Sequence, residues 1–220
     1  MLPNSFKQQG QRKKMIEMLH YRGIEDIKVL EAMSRVPRHL FIDSALEAHA
    51  YELKAFPIAA SQTISNPYTV AFQSQLLDIQ SGDTILEVGT GSGYQTAVLL
   101  EMGATVFTVE RQKSLFNFSK NLFKKFSYYP RYQSFGDGFK GLPSFAQFDK
   151  ILVTAAAPFI PIDLKDQLKI GGLMVIPVET KSTQKMKTVL RIDEEICKVM
   201  DFGQVKFVPM LKKRHYDENI

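Results

Sequence analysis

The run Leu86-Glu87-Val88-Gly89-Thr90-Gly91-Ser92-Gly93-Tyr94 decides the fold of this 220-residue chain. A short apolar stretch, 84–88, leads into three glycines at every second position, and a helical pattern over 94–102 follows without a linker. Glycine has no Cβ, so the backbone turns sharply there and a ligand can approach the amides at a helix N-terminus. An α/β protein builds a nucleotide cradle in this way at the carboxyl end of its first strand.

The spacing narrows the ligand. Dinucleotide-binding dehydrogenases favour G-x-G-x-x-G, whose last glycine serves helix–strand packing. Here the pattern is G-x-G-x-G, with Glu87 two residues before the first glycine. A carboxylate in that place suits a cationic cofactor, and the acidic lead-in is the usual form in enzymes that bind S-adenosylmethionine. A glycine-rich turn placed by chance after a strand is the plainer alternative, and the surrounding sequence has to decide.

Downstream, apolar runs at 105–109, 132–135, 150–154 and 173–178 alternate with helical patterns at 112–126 and 162–168, the last of them expected to end at Gly171-Gly172. Such alternation predicts a doubly wound, mostly parallel sheet with helices on both faces. Three extended runs in quick succession, 185–192, 195–202 and 204–209, predict antiparallel strands at the sheet edge, giving about seven strands in all. Upstream, Met15, Met18 and Leu19 are spaced for one helix and Ile27, Leu30 and Met33 for a second, which ends before Pro37. Residues 56–65 show no helical period and should be extended or looped, and Asn66-Pro67 reads as a helix cap and first helical position. The expected organisation is one domain over 1–220, with a helical extension over 1–60 packed on the core.

Composition excludes some classes. No run near eighteen apolar residues is present, so no membrane span is expected. The basic residues Lys7, Arg12, Lys13 and Lys14 have no apolar block after them, so the start does not read as a secretory signal. The single cysteine, Cys197, lies in a strand-like run far from the glycines and suits a reducing, cytoplasmic setting better than a nucleophile's role. His20, His39, His49 and His215 have no metal-ligand spacing, so no metal is expected. The net charge of +5 hints at nucleic acid. Yet Lys124 and Lys125 read as the solvated side of a helix, and the tail Lys212-Lys213-Arg214 stays unassigned.

Beyond the glycines, Glu110 closes the second strand about twenty residues on, where a carboxylate can accept from a ribose diol; a surface pair with Arg111 is the alternative. Asp137, between Gly136 and Gly138 after the third strand, can accept from an adenine amino group or simply make a turn. Thr154-Ala155-Ala156-Ala157-Pro158 ends the fourth strand without the Asn/Asp-Pro-Pro-aromatic clamp of nitrogen methylation, and its small residues leave room for a substrate backbone. Asn66-Pro67-Tyr68 resembles such a clamp only superficially, and capping explains it better.

Together these residues carry a resemblance. Val36-Pro37-Arg38-His39-Leu40-Phe41, Gln62-Thr63-Ile64-Ser65-Asn66-Pro67-Tyr68 and the glycine run resemble the protein-L-isoaspartate O-methyltransferase family. Gly136-Asp137-Gly138, Phe148-Asp149, the segment from Thr154 to Pro158, Gly171-Gly172 to Pro177 and Phe207-Val208-Pro209 extend the match. The resemblance implies methyl transfer from S-adenosylmethionine to the free α-carboxylate of isoaspartyl residues in damaged peptides and proteins, by a monomer without metal. It places Ser65 beside the acceptor, as the group that orients it. Thr63, Ile64, Glu87, Gly89, Gly91, Gly93, Glu110, Asp137 and Gly138 fall on the cofactor, and Ala155, Ala156 and Val208 on the substrate. The chain departs from the family at Ala59-Ala60-Ser61, where glycines are usual, and at Glu179, which follows the Ile-Pro-Val strand in place of glycine. A methyltransferase for RNA or a small molecule, and a cofactor-binding module without catalysis, are the competing readings.

Overall fold

A computed structural model describes residues 4–216; the outer ends of the expected 1–220 domain, 1–3 and 217–220, lie outside the described residues. The chain opens with helices α1 (Phe6–Tyr21) and α2 (Ile27–Arg35). Ser5 and Gln8 cap α1 reciprocally, and the Asp26 side chain accepts from the Lys28 amide at 2.8 Å to start α2. A hairpin of β1 (Phe56–Ile58) and β2 (Gln62–Ile64) follows, then α3 (Pro67–Leu77). Asn66 Oδ1 accepts from the Tyr68 amide at 2.8 Å, so capping accounts for the Asn-Pro-Tyr run.

The main body then alternates: β3 (Thr84–Val88), α4 (Tyr94–Glu101), β4 (Thr105–Glu110), α5 (Lys113–Phe126), β5 (Tyr132–Phe135) and β6 (Phe148–Val153). A short α6 (Ile162–Asp166) leads to β7 (Leu168–Glu179), β8 (Gln184–Arg191) and β9 (Cys197–Val205). These seven strands form one sheet in the order β5-β4-β3-β6-β7-β8-β9. The first five are parallel, and β8 and β9 are antiparallel. Beyond β5 the chain crosses back over β3, so adjacent connections leave in opposite directions at the carboxyl ends of β3, β4 and β6. That is where a doubly wound sheet opens a crevice.

Strand periodicity divides the core between the two faces. Ile85, Val106, Leu152 and Val175 join Met15, Met33, Leu77, Val98 and Leu99 on one side. Leu86, Val88, Ile151, Val153, Met174 and Ile176 join Phe148 and Leu164 on the other. The N-terminal helices thus share a cluster with α3 and α4.

Two boundaries differ from expectation. Helix α6 ends at Asp166, and Gly171-Gly172 does not terminate it but lies inside β7. Phe148 pairs with Leu168 and Lys150 with Leu173, so 169–172 bulge out of register. A Cβ on Gly172 would sit 2.8 Å from the Lys169 carbonyl oxygen, so the tight bulge requires glycine there. The expected separate strand over 204–209 is also absent: β9 runs unbroken to Val205, and 206–209 leave the sheet to a single bridge between Ala156 and Pro209. Among the described residues, no helix is long and apolar enough to cross a membrane.

Candidate active site

Three glycines with positive φ carry the chain from β3 to α4: Gly89 at 99°, Gly91 at 54° and Gly93 at 89°. Only glycine adopts such values freely. The packing is as restrictive as the torsion: a Cβ on Gly89 would lie 2.3 Å from Thr154 Oγ1, and one on Gly93 2.6 Å from the Phe123 ring. The loop is tied to both neighbouring strands. The Gly89 amide donates to the Val109 carbonyl at 2.8 Å, and Thr154 Oγ1 donates to the Gly89 carbonyl at 2.7 Å.

A cavity of about 300 Å³ lies over this loop. Residues 89–92 of the glycine loop, 110–112, 61–65 and 208–211 line it. Ile64, Val109, Leu115 and Met210 give it an apolar lining suited to a flat ring. Glu110 brings its carboxylate to the wall, where Oε2 accepts from the Gly91 amide at 2.9 Å and Oε1 from the Gln112 amide at 2.8 Å. Burial raises its pKa, and the amides of Gln112 and Gly91 oppose that rise. Each oxygen keeps a lone pair for a diol. Gln95 and Gln112 also line the cavity, and among the described residues the side-chain oxygen of each is buried without a partner. Unpaired buried acceptors beside an apolar slot match a nucleoside that carries amino and hydroxyl donors.

This geometry has close relatives. The family described as protein-L-isoaspartate(D-aspartate) O-methyltransferase matches residues 10–215. The chain belongs to that family. A protein-L-isoaspartate O-methyltransferase of Christiangramia forsetii is 51% identical over 97% of this chain and all of its own length. That of Flavobacterium johnsoniae is 52% identical with the same coverage. Among solved structures, a Plasmodium falciparum chain described as this enzyme, in complex with S-adenosyl-L-homocysteine, superposes with a TM-score of 0.81. It is 26% identical, over 92% of this chain and 99% of its own.

Within this O-methyltransferase, the cavity gathers Thr63, Ile64, Ser65, Gly89, Gly91, Glu110, Gly138, Ala155 and Val208. It does not gather Glu87, Gly93, Asp137 or Ala156, and each has a physical reason. Glu87 is fully buried beneath the loop, where its Oε2 accepts from Thr96 Oγ1 at 2.5 Å and from Thr108 Oγ1 at 2.8 Å. Burial pushes its pKa up to about 8, so at neutral pH it is mostly a neutral acid and not the ionised carboxylate that suits a cationic cofactor. Gly93 is the N-cap of α4 and faces Phe123. Asp137 spends its carboxylate on nearby backbone, its Oδ1 accepting from the Phe139 amide at 2.9 Å and its Oδ2 from the Lys213 amide at 2.7 Å. Ala156 is fully buried and spends its amide on the Val208 carbonyl, so it anchors the 208–211 wall from behind.

Gln73, Gln95, Gln112, Met210 and Leu211 line the cavity without having been expected. Gln112 is the N-cap of α5 but makes no capping hydrogen bond, so its side chain is available elsewhere, a signal that only the structure shows. The departure at 59–61 forms the tip of the β1–β2 hairpin, where Ala60 and Ser61 take φ values of 56° and 53°. Among the described residues no group of three or more His, Cys, Asp or Glu side chains could hold a metal ion.

Proposed function

We propose that this chain methylates the free α-carboxylate of L-isoaspartyl residues in peptides and proteins, using S-adenosylmethionine. The observation that carries this reading is one cavity that joins the glycine loop to the Thr63-Ile64-Ser65 wall. When bound, the cofactor supplies an electrophilic methyl carbon on a sulfonium centre.

The residues have a modest chemical task. A carboxylate is already ionised at neutral pH, so the acceptor needs no general base. What remains is alignment of oxygen, carbon and sulfur, an effect of proximity and orientation. Gly89 and Gly91 give close backbone approach, Glu110 accepts from the ribose hydroxyls, and Ile64 and Gly138 flank the nucleoside. Ser65 donates its hydroxyl hydrogen to the acceptor carboxylate, Thr63 lines the junction of cofactor and acceptor, and Ala155 and Val208 line the substrate side. Glu87, Gly93, Asp137 and Ala156 hold these walls from outside. The chain works as a single methyltransferase domain, with 1–60 as a helical extension packed on the core. A cytoplasmic monomer belongs to the same reading, and the lone thiol of Cys197 suits a reducing compartment.

The test uses labelled S-adenosylmethionine and two peptides that differ only in aspartyl or isoaspartyl linkage. Base-labile label entering the isoaspartyl peptide alone is expected. Label entering RNA, or cofactor binding without any transfer, overturns the reading.

A further inference from the structure

Arg38 has no exposed surface and makes no ion pair with a carboxylate among the described residues. Its donors go to main-chain carbonyls: Nε donates to Ala50 O at 2.9 Å, and Nη2 to Ser65 O at 2.8 Å and more weakly to Lys54 O at 3.5 Å. Nη1 has no partner among the described residues. The guanidinium carbon lies 4.8 Å from the centroid of the Tyr94 ring, the first residue of α4 and a residue of the cavity wall. Desolvation lowers its pKa to about 10, which still leaves a cation at neutral pH.

A buried cation is costly when dipoles alone compensate it, and a neutral donor could hold one carbonyl more cheaply. The guanidinium does something a neutral donor cannot. Its planar fork reaches the carbonyls of Ala50, Lys54 and Ser65 while its charge lies over the Tyr94 ring. The turn before β1, the serine wall and the helix after the glycine loop are therefore joined through one side chain.

We propose that Arg38 is a positioning residue for methyl transfer, a buried cation that fixes the Ser65 main chain against the first turn of α4. This rests on the functional reading above. It sets the distance between the two walls that must align acceptor and donor, and its charge adds attraction for an incoming anion. A misplacement near 1 Å at such a site costs about 100-fold in rate.

The test compares wild type, R38K and R38M by steady-state transfer to an isoaspartyl peptide and by calorimetry with S-adenosylhomocysteine. For folded R38K, kcat at saturating peptide is expected to fall about 10- to 100-fold. Affinity for S-adenosylhomocysteine should stay within about threefold, because the glycine loop and Glu110 are untouched. R38K with a wild-type kcat overturns the proposal, as does a parallel loss of cofactor affinity. If neither variant folds, ¹⁵N resonances of the Arg38 guanidinium in wild type decide. A shift on adding isoaspartyl peptide to protein saturated with S-adenosylhomocysteine supports the role, and an unchanged spectrum overturns it. Wild type inert toward the peptide overturns the functional reading and this one with it, whereas active wild type beside equally active R38K overturns this one alone.

Discussion

At the scale of single residues, Ser65 and Glu87 make opposite contributions. Ser65 stands outside the α3 cap, which Asn66 supplies, and in the proposed reading its hydroxyl orients the acceptor. Removing a hydrogen bond to a charged group costs about 1.5–3 kcal/mol, so Ser65→Ala should lower kcat roughly 10- to 100-fold. Calorimetry with S-adenosylhomocysteine should be nearly unaffected; an equal loss of both would refute the orienting role. Glu87 acts on stability. With a folded pKa near 8 against an ordinary 4.5, the folded chain keeps a proton that the unfolded chain has released, so stability falls as pH rises between those values. Glu87→Gln cannot ionise, so its advantage over wild type should grow to a few kcal/mol from pH 4.5 to pH 8. Urea melts at the two ends of that range test this, and parallel curves would contradict it. The acidic lead-in was legible in the sequence, but its burial was not: spacing along a chain does not reveal that β3 is a central strand covered on both faces.

At the scale of elements, the β1–β2 hairpin shows the tension between local preference and site geometry. Ala60 and Ser61 both sit in the left-handed region, which costs an L-residue about 1–2 kcal/mol. The two residues hold the turn that hands Ser61–Ser65 to the cavity wall, so the strain is borne beside the site. Ala60→Gly and Ser61→Gly should each raise stability by up to about 1 kcal/mol, or roughly 2–4 °C in Tm for a domain of this size. A calorimetric scan showing lower Tm for both would mean that the tip is not strained. The alternating core of β3, α4, β4 and α5 could be read from sequence because each element carries its own period. The bulge at 169–172 and the departure of 206–209 could not. Both depend on what a neighbouring segment offers, β6 residues Phe148 and Lys150 for the first and Ala156, beyond the end of β6, for the second. Gln73 and Gln95 on helices and Gln112 at an N-cap escaped for the same reason, since a glutamine in such places has no local pattern that aims it at a cavity.

For the whole molecule, the N-terminal helices and the glycine-loop helix share one buried cluster, which predicts that they unfold as one body. Met33 of α2 and Val98 and Leu99 of α4 are fully buried in a single cluster. Met33→Ala should cost about 2–5 kcal/mol. Because the cluster is shared, far-UV dichroism and tyrosine fluorescence (the chain has eight tyrosines and no tryptophan) should report one coincident transition before and after the change. Separate transitions would show that 1–60 unfolds on its own. The sheet order also settles where the single thiol lies. Cys197 begins β9, four strands from β3 at roughly 4.8 Å per step, or about 19 Å away. Two antiparallel pairings return β9 to the direction of β3, so its first residue lies toward the end of the sheet opposite the glycine loop. A maleimide fluorophore attached there can report tumbling or partner encounter in solution while the reacting groups stay unlabelled, with no mutagenesis needed to remove competing sulfhydryls.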